Sequence, residues 1–399
     1  MRWSTMAIIA ALYAAQFVPL MFVFLGVPII LRVEGHSAAT IGLMQLALMP
    51  YLFKFLWSPL IDKYKLGRNR YKSWIWVLSI LHVASLLALA MTDPTGNITL
   101  LFAALFMVTL SVSTQDVAVD ALVISLIRPD ERPIGATLQN IGGYTGAVIG
   151  GFGFLYLYNY LGWSVAILLQ SILFLLPLFS LRFVQEPERA PDAPRGTFKE
   201  ALRFFAQPRI GPWLGVLASM RLPLVLTILP MRLMMVDQGM STEEIALWFG
   251  LFALSAAGGA SAVFGPLLRK LPRLTALYLA GILNIPALLV ITYFVASFPD
   301  AIRYVVILTW VVMPIVDIVI YTGAMDRTRP GLAGFDFSMQ IAIYAAAGMF
   351  AEPIIGVVID NYGYLHAFLT TIPTALIPLA ILWFFVARKD ASDKQSEAN

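Results

Sequence analysis

Six charged side chains sit inside stretches of this sequence that are otherwise apolar: Lys54, Asp116, Asp120, Arg221, Asp317 and Glu352. Charge in hydrocarbon is expensive, so each needs a partner or a task. Membrane carboxyls are candidates for proton coupling, and Asp116 and Glu352 are the two placed to take a proton from outside. A guanidinium near the midplane holds carboxylate or catecholate oxygens in a planar fork. Arg221 is therefore a candidate either for the anionic substrate or for a deprotonated acid. Asp116 and Asp120, four apart, share one helical face. A fixed pair of Lys54 with Asp120 that only joins helices is the alternative reading. Gln16, Gln115, Gln139, Tyr144, Tyr321 and Gln340 are the polar companions expected around a substrate and coupling site.

The elements that must position these residues follow from composition. The 399 residues are 59% hydrophobic and 13% charged, against about 25% charged in a soluble domain. This is an integral membrane protein. A bilayer core takes roughly 20 apolar residues per helix, and twelve such runs lie near 5–32, 40–61, 73–92, 98–127, 134–158, 162–184, 211–235, 244–268, 274–297, 301–324, 333–358 and 364–387. Lipid satisfies no backbone groups, so the runs are helices. The alternation of a membrane barrel strand is absent. The first run is about 28 residues long, too long for a cleaved signal, and is kept as a helix.

Placing the N-terminus, the even-numbered loops and the C-terminus on one side puts 22 of the 27 Lys and Arg there. The positive-inside rule makes that side cytoplasmic, with both termini in it, and a bacterial inner membrane is expected. The same asymmetry accounts for the net charge of +4 without nucleic acid.

The chain repeats itself at an offset of 201. Asp116 maps to Asp317, Arg128 to Arg329, Pro129 to Pro330, Gln139 to Gln340 and Gly162 to Gly363; with a drift in offset, "SPLIDK" from Ser58 answers "GPLLRK" from Gly265. Two six-helix halves are expected, 1–184 and 211–387. Between them 185–210 is a polar, proline-broken, basic linker whose 197–205 stretch has a helical pattern and is expected along the cytoplasmic surface. Residues 388–399 form a polar tail.

Twelve helices in two pseudo-symmetric six-helix bundles resemble the major facilitator superfamily. The stretch "KFLWSPLIDKYKLGRNR", Lys54 to Arg70, extends the likeness, because that superfamily carries a small residue, an aspartate and a glycine with basic residues between its second and third helices. Those places resemble Ser58, Asp62, Gly67, Arg68 and Arg70, which implies a cytoplasmic gate of Asp62, Gly67, Arg68 and Arg70. In such a gate the carboxylate accepts from the N-terminal amides of a facing helix. The second half has Arg269 at the aspartate's place, so its gate is expected to be degenerate.

"KFLWSPLIDKY" with "STQDVAVDAL", Ser113 to Leu122, also resembles the AmpG muropeptide permeases, the acetyl-coenzyme A transporters and the short siderophore permeases of the RhtX/FptX type. The compact chain favours the last group. That resemblance implies proton-coupled import of a ferric siderophore, with a muropeptide or other amphipathic anion as the alternative. In the superfamily fold, helices 1, 4, 7 and 10 line a central cavity, which implies that Asp116, Arg221 and Asp317 converge.

Other features read as structure. "GGYTGAVIGGFG" follows no strand, and Gly142, Gly146 and Gly150 at spacing four form a face for close helix packing. There is no cysteine, and His36, His82 and His366 are isolated, so neither metal site nor cofactor is expected. No nucleophile-and-base arrangement points to an enzyme. The expected partners are a small-molecule substrate, protons and membrane lipid, the chain acting as a monomer.

Overall fold

The computed structural model describes residues 3–34, 40, 44–67, 69–94, 96–188 and 197–384, and every regular element among them is a helix. In chain order they are α1 (Trp3–Leu31), α2 (Leu46–Leu56), α3 (Tyr71–Ala90), α4 (Ile98–Leu126), α5 (132–161) and α6 (163–183). The second set is α7 (Ile210–Asp237), α8 (Glu243–Arg269), α9 (Arg273–Ser297), α10 (Pro299–Asp326), α11 (333–362) and α12 (364–384). Among the described residues nine helical spans are long and apolar enough to cross a bilayer, two of which, Tyr156–Phe183 and Ile354–Phe384, run through a glycine break. The helix α2 is short because a turn at Trp57 separates it from Ser58–Lys63, which projects past the apolar stretch.

Two glycines divide what would otherwise be unbroken helices. Gly162 (φ 76°, ψ 177°) separates α5 from α6, and Gly363 (φ 79°, ψ 176°) separates α11 from α12. That region of backbone space is open essentially to glycine alone. The two positions are 201 apart, so the sequence repeat is also a repeat of conformation.

The small-residue face on α5 sets the closest packing in the N-terminal bundle. A Cβ on Gly142, Gly146 or Gly150 would come within 2.5, 2.4 or 2.0 Å of the carbonyls of Ala10, Ala14 and Val18 on α1. The backbones touch because nothing stands between them. The equivalent crossing, α7 on α11, closes the C-terminal bundle, and the bundles meet where α5 packs on α8 and α10, and α11 on α2 and α4. Three single π-helical turns, Phe22–Gly26 in α1, Val148–Gly153 in α5 and Ala246–Phe252 in α8, pack in series. Such turns mark places where a helix ladder is locally loosened.

The segment expected along the surface is more deeply seated than its polarity suggests. Thr197 and Glu200 form a capping box over Phe198–Leu202, and Arg329 donates to the carbonyls of Glu200 (2.8 Å) and Ala201 (3.1 Å). Phe204 is fully buried in the main core.

Candidate transport site

The charged membrane residues fall into two sets. In the first, Lys54 on α2 reaches both acids of α4: its ammonium bonds Asp116 and lies 3.7 Å from Asp120 Oδ2. Tyr13 on α1 donates to Asp120 Oδ1 at 2.9 Å, while Asp120 Oδ2 has no hydrogen-bond partner. Gln16 lies against the same group. One amide orientation donates to Gln115 Oε1 (3.2 Å) and the swapped one to Asp116 Oδ1 (3.1 Å). Gln115 in turn donates to Ser79 Oγ at 2.6 Å. All three ionisable side chains are 5% exposed or less. One ammonium against two carboxylates leaves one negative charge over, which a single added proton neutralises. The expected pair of Lys54 with Asp120 is present, and Asp116, one turn away on the same face, is the nearer partner of the ammonium.

The second set joins both bundles. Asp317 on α10 accepts from Tyr144 on α5 (3.0 Å) and from Tyr344 on α11 (2.5 Å). The ring of Tyr344 also carries the guanidinium of Arg221, 4.9 Å from its centroid, and stands 5.9 Å from that of Tyr321. Among the described residues no carboxylate lies within 4.0 Å of that guanidinium. Arg221 sits where α7 is broken between Ile210–Met220 and Leu222–Asp237, with Pro223 just beyond. Eleven residues into the helix is about 16 Å, close to the midplane. Trp310 packs edge-on against Tyr144, its indole N–H buried without a partner.

Of the three residues expected to converge, Asp116 makes its direct contacts in the lysine set and Asp317 in the tyrosine and arginine set, while Tyr51 and Tyr321 stand between the sets, each within electrostatic reach of both. The repeat has diverged to make two different sites. At offset 201 Asp120 answers Tyr321, so a second carboxylate in one half is a phenol in the other. Two glutamines also separate. Gln340 is fully buried and spent within the protein, accepting from Trp213 Nε1 (2.6 Å) and donating to the carbonyls of Ala324 (3.1 Å) and Asp336 (2.8 Å). It pins α11 to α7 and α10, with both amide protons and one lone pair of its carbonyl engaged inside the protein. Its mate Gln139 keeps a buried carbonyl oxygen without a partner. The side chain of Glu352 lies outside the described residues, as does Arg68.

At the basic face Asp62 accepts from the backbone N–H of Gly334 (3.1 Å) and Phe335 (2.8 Å) at the N-terminus of α11, and from Tyr71 Oη (3.1 Å). Arg70 lies 4.0 Å from that carboxylate and donates to the carbonyl of Gly331 at 2.9 Å; Gly67 (φ 85°) makes the turn between them and α2. Burial pushes the Asp62 carboxyl up to about 6, the amides of α11 and Arg70 only partly opposing it. Arg269 bonds both the carbonyl and the carboxylate of Asp130 across the bundle boundary. Asp326, which sequence reasoning missed, holds Arg132 of the other bundle at 2.8 Å and Arg273 of its own at 2.9 Å. Both described ion pairs between the bundles lie on this face. The bundles are clasped here.

The sequence pattern described as the Major Facilitator Superfamily matches residues 5–351. The chain belongs to that superfamily. The superfamily is one of non-enzymatic, multi-pass permeases. Over 174 residues, 42% of this chain and 41% of the relative, it is 29% identical to the putative transporter AmpG 3 of Rickettsia prowazekii. Over 176 residues, 43% of this chain and 35% of the relative, it is 28% identical to the anhydromuropeptide permease of Escherichia coli strain K12. These alignments span about two fifths of the curated relatives' length. Among solved structures the human organic anion transporter MFSD10 superposes with a TM-score of 0.76 at 15% identity, over 96% of this chain and all of that one, a likeness of fold. Length varies within the AmpG group: by these shares the Rickettsia relative is about 424 residues long and the Escherichia coli permease about 503.

Proposed function

We propose that this chain imports an amphipathic anion of the anhydromuropeptide class across a bacterial inner membrane, coupled to protons and acting as a monomer. The basic face is the cytoplasmic one, and both termini lie there. The observation that carries the reading is Arg221: a midplane guanidinium with no carboxylate among the described residues in contact, seated on an aromatic ring whose hydroxyl holds Asp317. A muropeptide is a sugar bearing a short peptide, so it brings carboxylates for the guanidinium and ring faces for Tyr144, Tyr321 and Trp310. The similarity to AmpG relatives supports this class over a ferric siderophore, for which the comparisons offer no support.

The two sets divide the work. Arg221 takes the anion, and the Lys54, Asp116 and Asp120 set takes the proton, which makes that set neutral and lowers the cost of moving it. The halves 1–184 and 211–387 rock about these sites while the 185–210 linker spans them. The conformation described, clasped through Asp62 and Asp326, is the one closed to the cytoplasm.

The test is binding of a labelled anhydromuropeptide to purified protein and to Arg221→Gln and Arg221→Lys. Loss in Arg221→Gln with partial retention in Arg221→Lys is expected. Unchanged binding in Arg221→Gln removes the anion role, and binding of a ferric siderophore in its place returns the assignment to that substrate.

A further inference from the structure

At the basic end of the C-terminal bundle, between α7, α9, α10 and α12, lies a cavity of about 380 Å³ apart from both membrane charge sets. Three guanidiniums border it, Arg209, Arg273 and Arg327, against the single carboxylate of Asp326. Arg327 lies flat on Trp213, its Cζ 3.8 Å from the ring centroid, and donates to the carbonyl of Gly323 at 3.0 Å. Gly323 makes that seat possible, since a Cβ there would meet the Trp213 ring at 2.4 Å. The rest of the wall is largely apolar and includes the buried Leu277 and Leu382. Asp326 is already engaged by Arg132 and Arg273, and among the described residues Arg327 has no carboxylate within 4.0 Å. Burial pushes Arg327 down to about 10, with Asp326 only partly opposing it, which an incoming anion relieves.

We propose that this cavity binds the headgroup of an anionic phospholipid from the leaflet on the basic side. Arginines grip phosphate through paired N–H donors, and the ends of membrane helices are where headgroups lie. A soluble anion would leave the leucine wall without a use, whereas a lipid fills it with the first carbons of its chains. The volume falls at the small end of the roughly 300–1,000 Å³ of ligand sites, enough for a headgroup and chain root with the tails left in the bilayer. Because Arg273 also holds Asp326, an occupied cavity acts directly on the clasp between the bundles.

The experiment uses the full chain in phosphatidylcholine vesicles containing phosphatidylglycerol, with bromine on the acyl chains of one lipid or the other. The Trp213 signal is the difference in fluorescence between the parent and Trp213→Phe. Brominated phosphatidylglycerol is expected to quench it several-fold more strongly than brominated phosphatidylcholine at equal mole fraction. The excess should vanish in Arg209→Gln/Arg327→Gln and persist in Arg327→Lys, which keeps the charge. Equal quenching by the two lipids, or an excess that survives the double substitution, overturns the proposal. If Trp213→Phe does not fold, total fluorescence of the parent and the arginine variants is compared under the same criterion. Added sn-glycerol 3-phosphate that abolishes the excess overturns the lipid assignment in favour of a soluble phosphate; no effect supports the lipid.

Discussion

The gate carboxylate makes the clasp sensitive to pH with a definite sign. When the clasp is closed Asp62 is buried and its carboxyl is pushed up to about 6; when the face opens it returns to water, with a pKa of about 3.9. Between those values the closed state binds more protons, so lowering the pH favours closing. The advantage is full below about pH 4 and is lost as pH rises through 6. Between pH 7 and pH 5 the shift is about 1.3 kcal/mol, roughly tenfold in the ratio of closed to open. The Arg70 guanidinium and the phenol of Tyr71 are the groups that face the Asp62 carboxylate. Glu131, nearby on the same face, is held down to about 2 by its hydrogen bonds from Arg128 and stays ionised. The chain has no cysteine, so spin labels can be placed at Lys65→Cys and Lys270→Cys, exposed positions on the two bundles. Distance distributions at pH 7 and pH 5 should show the short population growing, and Asp62→Asn should abolish the response. An unchanged distribution in the parent, or an equal response in Asp62→Asn, refutes the linkage.

Three further outcomes are expected. Gly146→Ala forces α5 off α1 and should destabilise by about 1–3 kcal/mol, read as a lower thermal midpoint, whereas Gly259→Ala, with nothing within 4 Å of the added carbon, should be neutral; equal effects would discount the close crossing. Tyr344→Phe removes a donor to Asp317 but keeps the ring under Arg221, so transport rate should fall with substrate affinity little changed, while Tyr344→Leu should weaken affinity about 2- to 30-fold for a cation–π contact of about 0.5–2 kcal/mol. Identical behaviour of the two variants would show that the ring does not serve Arg221. Asp116→Asn should lose uphill accumulation while keeping substrate exchange; accumulation at the parental level removes Asp116 from coupling.

Much of the architecture is written in short-range terms. Apolar run length gives the helices, Gly162 and Gly363 have a local reason in their positive φ, and the spacing of Gly142 and Gly146 marks a packing face without naming α1 as its partner. The motif around Asp62 is equally legible, because a helix end needs an acceptor wherever it meets one. The partner choices inside the membrane are not. Lys54 is 62 positions from Asp116 and Tyr144 is 173 from Asp317, and nothing in local spacing chooses between Asp116 and Asp120 for the lysine. Likewise Gln340 reads as a site residue until Trp213, 127 positions away, is seen to occupy its carbonyl. The clasp through Asp326 escaped notice because a charge at a helix end has an ordinary reason to be there.

The most direct test of the account is uptake of radiolabelled anhydromuropeptide into proteoliposomes of the purified chain, with an inward proton gradient imposed or collapsed. The account predicts accumulation above the external concentration that disappears when the gradient is collapsed and in Asp116→Asn. Accumulation indifferent to the gradient, or none for the muropeptide alongside gradient-driven uptake of a ferric siderophore, would contradict it.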